Sequence, residues 1–404
     1  MGHLSTHLPG LMFALGCSGT PKDSPPGVTH TGTPVVDTGS PGDGEPFDGP
    51  VHIPHGVIAP AQLSEVRLVT WTDTGLVYNE GVFPYKLINP LFSDYTLKDR
   101  AFWIPEGSTI GWTQAGPLEF PVGTIVSKTF LTAPDLRDPT VDLRPIETRL
   151  MVREESGWVA WPYVWAEDGS GATLDVTGEV LPISFIDPEG ETRSANYLVP
   201  QKNQCVECHE HRDAEGERLL TLIGPQGRQL NRDVDTPDGV QNQLERWASQ
   251  GLVSGMPDGG AFDTAASTEE FIGTDLSGHG PEAIDRVARE YLDMNCAHCH
   301  NEEAVEGQSS QLWLNHDNTD AFHLGICKQP GSAGEGTNGL LYDVVPGAPD
   351  ESILYFRTFT EDVGAMMPQI GRSLAHSGAQ SLIARWIEGL DPAHCSAAAD
   401  SGSF

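Results

Sequence analysis

The chain contains two copies of one short cysteine–histidine pattern, Cys205-Val206-Glu207-Cys208-His209 and Cys296-Ala297-His298-Cys299-His300. In C-x-x-C-H, two thiols three positions apart can form thioether bonds to both vinyl groups of one porphyrin, and the adjacent imidazole then lies beneath the iron. The two patterns therefore predict two covalently attached haem c groups, with His209 and His300 as the proximal iron ligands.

A zinc site and a redox-active C-x-x-C pair are the alternative interpretations. Zinc requires the cysteines and histidines to gather into one tetrahedral set, and it does not require a histidine directly after the second cysteine. The chain of 404 residues has only seven cysteines, so two complete matches favour haem attachment.

The charge of the chain bears on its partners. Acidic residues outnumber basic ones by 57 to 23, which gives a net charge of −34. Such a surface repels nucleic acid and anionic lipid headgroups, so we expect neither as a partner. It attracts basic proteins, and we expect basic redox proteins as docking partners. Solubility in a salty medium explains the charge equally well.

Cys17 indicates export. It ends the apolar run Leu11–Gly16, as in a bacterial lipoprotein signal that is cleaved before a lipidated cysteine, although residues 1–10 contain no Lys or Arg. The run is too short to span a bilayer. We therefore expect a periplasmic or cell-surface protein that touches the membrane only through a lipid anchor at Cys17.

Two further cysteines, Cys327 and Cys395, lie in the C-terminal part. Because haem attachment implies an oxidising compartment, we expect a disulfide between them. Two buried free thiols are the alternative.

Composition and patterning divide the chain into five segments. Residues 1–17 form the lipoprotein-like signal, and residues 18–50, rich in Ser, Thr, Pro, Gly and Asp, are predicted to be a disordered tether. Residues 51–200 alternate apolar and polar positions between Gly- and Pro-containing turns, which predicts an all-β domain. Residues 201–280 form a first haem-binding segment, and residues 281–404 form a second c-type cytochrome domain.

Helical periodicity is strongest after residue 280. Apolar residues recur at helical spacing over Pro281–Met294, and this helix runs directly into Cys296. Further amphipathic helices are predicted over Gln380–Leu390 and, in the first haem-binding segment, over Gln241–Gln250. A helix that enters C-x-x-C-H and a closing amphipathic helix resemble the small c-type cytochrome domains in which these two helices cross. The resemblance covers residues 281–396.

This resemblance implies a Met-Pro loop that supplies the sixth iron ligand, because a filled sixth position is typical of electron-transfer haem. In Ala365-Met366-Met367-Pro368 the match aligns Met367 with the ligand and leaves Met366 to pack in the core. For the first haem, Met256-Pro257 mirrors this arrangement. His279 is a rival ligand, and an open sixth position is a third possibility.

Taken whole, the chain resembles a bacterial family of di-haem c-type cytochromes that have an N-terminal β-domain and no settled function. The resemblance spans residues 51–395. It rests on Pro90-Leu91-Phe92-Ser93-Asp94-Tyr95, Phe120-Pro121-Val122-Gly123-Thr124, Glu147-Thr148-Arg149-Leu150, Gln204 through His209, Gly224-Pro225-Gln226, Arg228-Gln229-Leu230-Asn231 and Tyr291 through His300. We therefore expect an all-β sandwich or barrel followed by two small α-helical c-type cytochrome haem domains.

These observations predict an exported di-haem c-type cytochrome that transfers electrons between redox partners. Arg228, Arg232 and Arg357 are candidates for pairing with haem propionates, or are ordinary surface or helix arginines. The alternative function is enzymatic, a di-haem peroxidase or dehydrogenase with an open sixth position at the first haem. A third interpretation makes the β-domain a module that binds a partner or carbohydrate. No catalytic constellation is recognisable in that domain, so we expect a carrier rather than a catalyst.

Overall fold

A six-stranded antiparallel sheet forms the centre of the N-terminal half. The computed structural model describes residues 46–53, 58–212, 216–257, 262–393 and Cys395. Up to residue 199 the strands are β1 (Val69–Thr72), β2 (Gly75–Tyr78), β3 (Val82–Pro84), β4 (Leu97–Trp103), β5 (Ile110–Gly111), β6 (Ile125–Thr132), β7 (Arg144–Glu154), β8 (Gly157–Trp165), β9 (Ala172–Leu174), β10 (Glu179–Ile186) and β11 (Thr192–Val199). The central sheet has the order β3-β4-β6-β7-β8-β9, and β3 and β9 lie at its open edges.

The longest hairpin of this sheet is formed by β7 and β8, which the sequence predicts from its Glu-Glu-Ser-Gly turn. Glu154 pairs with Gly157, so only Glu155 and Ser156 connect the two strands. Gly157 has φ of 133°, a conformation that residues with a Cβ rarely adopt. The predicted hairpin is confirmed.

Both faces of the central sheet are covered by apolar clusters. Side chains alternate between the two faces along each strand. One face carries a single apolar core around Leu150 and Trp161. On the other face, two apolar clusters lie at opposite ends of the strands. We call the first the motif-side cluster; among its residues are Phe102, Val126, Met151, Ala160, Leu230, Leu244 and Trp247, with Cys205 packed against it. We call the second the hairpin-side cluster; among its residues are Phe130, Ile146, Phe185 and Tyr197.

Residues 201–280 combine hairpins with short helices. The 3₁₀ helix Lys202–Glu207 carries the first cysteine motif. It is followed by β12 (Glu210–Arg212), β13 (Arg218–Leu220), α1 (Gly227–Leu230), β14 (Asp233–Thr236), β15 (Gly239–Asn242), α2 (Gln243–Ser249) and β16 (Val253–Ser254). Strands β12 and β13 form one antiparallel pair and β14 and β15 another, while β16 lies parallel to β5. This segment is therefore joined to the N-terminal half by backbone pairing.

The expected fold class, an all-β sandwich or barrel followed by two small α-helical haem domains, is wrong. Antiparallel sheet dominates the described residues, which contain six short α-helices. The helical period predicted over Gln241–Gln250 belongs to α2 alone, a helix of 7 residues capped by the Asn242 side chain. The sequence before it forms a hairpin because Gly239, with φ of 102°, allows a tight turn.

The C-terminal part contains α3 (Pro281–Leu292), α4 (Val305–Ser310), α5 (Ile353–Phe359) and α6 (Ser377–Glu388). Helices α3 and α6 occur where the sequence predicts them, because their apolar residues share one face. They pack against each other, and Trp386 Nε1 donates a hydrogen bond of 2.9 Å to Asp285 Oδ1 between them. A π-helical turn, Asp293–Ala297, continues α3 into the second cysteine motif.

A loop of the N-terminal half contacts this C-terminal core. The Asp94 carboxylate is almost fully buried and accepts hydrogen bonds from the backbone N–H groups of Ser373 and Leu374, at 2.7 and 2.8 Å. The Phe92 N–H donates to Asn295 Oδ1 at 2.8 Å. These bonds fix the two halves against each other beside the second motif, since Asn295 directly precedes Cys296.

The N-terminal predictions concern residues with little structural description. Residues 1–17, with the lipidation candidate Cys17, lie outside the described residues, as do residues 18–45 of the predicted tether. The described end of that segment contacts the fold, because Asp48 pairs with Arg67 at 2.6 Å. None of the described helices has the length and apolar character that a membrane span needs.

The structure places Cys327 and Cys395 at disulfide distance, with Cα atoms 5.2 Å apart. Replacing both with serine is expected to lower the free energy of unfolding by roughly 4 kcal/mol, because the bond constrains a long loop in the unfolded chain. Denaturant unfolding of the double variant measures this loss. Mass spectrometry after alkylation without reduction gives the control: labelling of both thiols in the native protein would contradict the pairing.

Candidate haem site

The two cysteine motifs meet in space. The Cys299 thiol donates a hydrogen bond of 3.2 Å to the Glu207 carbonyl oxygen. One ligand atom from each of Cys208, His298 and Cys299 lies within 4.8 Å of the other two. The second cysteine of each motif therefore lies at the point where the two motifs touch.

Both motifs adopt the same backbone turn. In the first, the Cys205 carbonyl accepts hydrogen bonds from the N–H groups of Cys208 and His209, at 3.3 and 2.9 Å. In the second, the Cys296 carbonyl accepts from Cys299 and His300 in the same way, at 3.1 and 2.9 Å. Each turn brings two thiols and one imidazole together on a single loop of backbone.

The His209 ring has the hydrogen bonding of an iron ligand. Its Nδ1 lies 2.9 Å from the Thr221 carbonyl oxygen, so the proton belongs on Nδ1 and the Nε2 lone pair is free for a metal. Burial lowers the pKa of His209 to about 4. The ring is therefore neutral at physiological pH, as metal ligation requires.

The His300 ring is also buried, and this burial lowers its pKa to about 4. A backbone hydrogen bond with Leu312 partly offsets this lowering of the pKa. Each motif thus presents two thiols and one neutral imidazole, the donor set that a c-type haem requires.

The thiols differ in environment. Burial raises the pKa of Cys205 and raises that of Cys296 to about 12. A hydrogen bond with the Cys299 thiol is the largest cause that lowers the pKa of Cys208 to about 4. The thiolate is the form of cysteine that reacts with electrophiles and binds metals, so Cys208 is the most reactive of these three.

Met256 packs against the same apolar cluster as the first motif. It packs in the motif-side cluster that also contains Cys205, together with Trp112 and Phe262. The rival His279 stacks instead on Phe271, with ring centres 4.3 Å apart, in the core formed by α3 and α6. Of these two candidates, only Met256 shares a cluster with the first motif. Its role as sixth ligand stays a prediction.

Met367 lies in a loop held by an arginine that the sequence did not single out. The buried Arg372 guanidinium donates hydrogen bonds of 3.0 to 3.1 Å to four carbonyl oxygens, those of Met367, Leu374, Arg357 and Thr360. Met366 is 6% exposed, whereas Met367 is half-buried. Met366 therefore packs in the interior, and Met367 stays the predicted sixth ligand of the second haem.

The arginines proposed as propionate partners have other contacts. Arg228 forms an ion pair with Glu290 and a hydrogen bond of 3.1 Å with Asp263. Arg232 and Arg357 donate to the carbonyl oxygens of Leu87 and Ala365, at 2.7 and 2.8 Å. The bonds of Arg228 and Arg232 join distant segments of the chain, so the sequence alone does not predict them.

Comparison with protein-family models, with curated proteins and with solved structures finds no match to this chain. The resemblance to di-haem c-type cytochromes therefore stays a prediction from the motifs.

Replacing Met367 with alanine is expected to open the second iron to carbon monoxide and to lower its reduction potential, because thioether ligation favours ferrous iron. Met366→Ala is the control. It should lower the free energy of unfolding by about 2–5 kcal/mol, as for a buried methionine, and leave the carbon monoxide spectrum unchanged. The reverse pattern would assign the ligand to Met366.

Arg372→Lys is expected to lower the free energy of unfolding by roughly 2–4 kcal/mol, because an ammonium group cannot reach all four carbonyl oxygens. Loosening of the Met367 loop should also increase carbon monoxide binding at one haem. Arg385→Lys is the matched control, since its exposed guanidinium pairs only with Glu388 within the described residues, and it should change stability by less than about 0.5 kcal/mol. Equal effects of the two substitutions would exclude a special role for Arg372.

Proposed function

We propose that this protein is an exported c-type cytochrome that carries two covalently attached haem groups and transfers electrons between redox partners. The observation that carries the proposal is the contact between the two C-x-x-C-H motifs. It gives a chain with two haem groups a direct path between them.

The protein's residues have distinct roles in this proposal. Cys205 and Cys208 hold the first porphyrin, and Cys296 and Cys299 hold the second. His209 and His300 bind the irons, whose change between ferrous and ferric states is the chemistry that the groups supply. Cys208 and Cys299, which would each hold one of the two groups, lie next to each other.

Met256 and Met367 fill the sixth positions in this proposal. A filled sixth position leaves peroxide and oxygen without a binding site, which favours transfer over catalysis. Met256 and Cys205 both pack against the motif-side cluster, which supports this arrangement at the first haem. An open position there is the feature that a peroxidase or dehydrogenase would need.

The proposed redox partners are inferred from the net charge of the chain. The net charge of −34 favours basic redox proteins and speeds their encounter. In the proposed cellular setting the chain is exported and anchored through Cys17, so the membrane is contacted only by the lipid. Haem attachment and the pairing of Cys327 with Cys395 both suit an oxidising compartment.

The test begins with a haem assay on denatured protein, for which we expect two haems per chain. Electron exchange with a basic cytochrome should slow by about tenfold when the ionic strength rises from about 10 mM to about 0.2 M, because salt screens the attraction. Peroxidase turnover should be negligible. Robust turnover that is lost in His209→Ala and kept in Met367→Ala would replace the carrier with an enzyme.

The zinc alternative raised by the sequence would place a metal ion between Cys208, His298 and Cys299. The grouping of their three ligand atoms favours it, and two thiolates with one imidazole match the donors of many zinc sites. Elemental analysis separates the candidates. Stoichiometric zinc without haem would support the metal site, whereas two haems without zinc would exclude it, because both thiols are then thioethers.

A further inference from the structure

A row of positive side chains crosses the central sheet between the motif-side and hairpin-side clusters. Arg100 on β4 pairs with Lys128 on β6, and Lys128 pairs with Arg149 on β7. Lys98 precedes Arg100 by two positions and so lies on the same face. We call these four residues the cation row. Like charges directly opposite each other on neighbouring strands are destabilising.

Within the described residues, one member of the row forms an ion pair with a carboxylate. The Arg149 guanidinium binds Glu147 through two hydrogen bonds of 2.5 and 2.8 Å. Lys98 donates to the Thr96 carbonyl oxygen at 2.6 Å, a neutral partner. The row therefore has a surplus of positive charge.

Lys128 and Arg100 have weaker partners. Lys128 Nζ lies 4.8 Å from the centre of the Phe130 ring. Arg100 is 8% exposed, and within the described chain its guanidinium makes no hydrogen bond or ion pair. Tyr85 and Asp99 are its electrostatic neighbours, and a guanidinium has five donors, so the group can take a further acceptor.

Burial makes this arrangement costly. It lowers the pKa values of Lys98 and Lys128 well below their usual range and lowers that of Arg100. Positive groups are kept in an interior when an anion compensates their charge. The chain has 57 acidic residues, yet within the described residues only Glu147 forms an ion pair with the row.

The cation row lies beside the first cysteine motif. Arg149 is an electrostatic neighbour of Cys205, and Lys128 is one of His209. Arg100 lies two strand spacings from Arg149, about 10 Å. Arg149, at one end of the row, therefore lies near the Cys205 thiol, and Lys128, in the middle, lies near the His209 imidazole. Arg100, at the other end, lies beyond both groups.

A porphyrin attached at Cys205 and Cys208 has the same order of groups. Its thioether edge lies at the cysteines, its iron over His209, and its two propionates on the opposite edge. The guanidinium fork matches a carboxylate with two parallel hydrogen bonds. The far end of the row therefore lies where the propionates are expected.

We propose that Arg100 and Lys128, assisted by Lys98, bind the propionate carboxylates of the haem attached at Cys205 and Cys208. This inference rests on the proposed function. It gives the N-terminal sheet a specific role, the anion-binding wall of the first haem site.

Redox titration of purified Arg100→Met tests the inference after two haems per chain have been verified. Loss of the cation should lower one of the two reduction potentials and leave the other unchanged, because the ferrous state carries one more negative charge than the ferric state. Lys128→Met should lower the same potential. Arg137→Met, which removes an exposed guanidinium paired with Asp135, is the control for charge and should shift neither.

Arg100→Lys keeps the charge and should restore most of the lost potential, which also provides a readout if Arg100→Met does not fold. Unchanged potentials in both Arg100→Met and Lys128→Met, with two haems bound, would overturn the propionate inference and leave the proposed function intact. Potentials of the native protein that vary with inorganic phosphate would assign the row to a free anion and overturn it as well. A native protein without haem would overturn both proposals.

Discussion

The buried Asp94 carboxylate holds the two halves of the protein in one arrangement. The carboxylate accepts hydrogen bonds from the backbone N–H groups of two consecutive residues, Ser373 and Leu374. Hydrogen bonds to an ionised acceptor are among the strongest in proteins. These residues directly follow Arg372, which orients the loop of Met367. The position of the Met367 loop therefore depends on a side chain that lies about 270 residues before it.

Sequence patterns predicted local structure well. The hairpin β7–β8 and the helices α3 and α6 each depend on periodicity and turn residues within one short window, and all three are present. The fold of residues 201–280 was mispredicted, because its hairpins and the pairing of β16 with β5 depend on partners outside the window. Tertiary contacts there outweigh the weak helical preference of the sequence.

The same limit applies to the candidate site. The motif residues follow from C-x-x-C-H, but the neutral imidazoles and the contact of Cys208 with Cys299 depend on the folded chain. Charged residues show the limit most clearly. The sequence made Arg228 a candidate for pairing with a haem propionate, but the structure pairs it with Glu290. The sequence around Arg100 did not mark that residue as a candidate. Only the cross-strand register reveals that Arg100 pairs with Lys128.

The parallel pairing of β16 with β5 constrains how the sequence of this fold can change in evolution. Segments on either side of residue 200 share backbone hydrogen bonds, and the motif-side cluster draws its side chains from both. A gene fragment encoding only the cysteine-bearing part would leave an apolar surface open to solvent, with a strong tendency to aggregate. The two parts cannot be exchanged singly between proteins by recombination, and their sequences must change in concert.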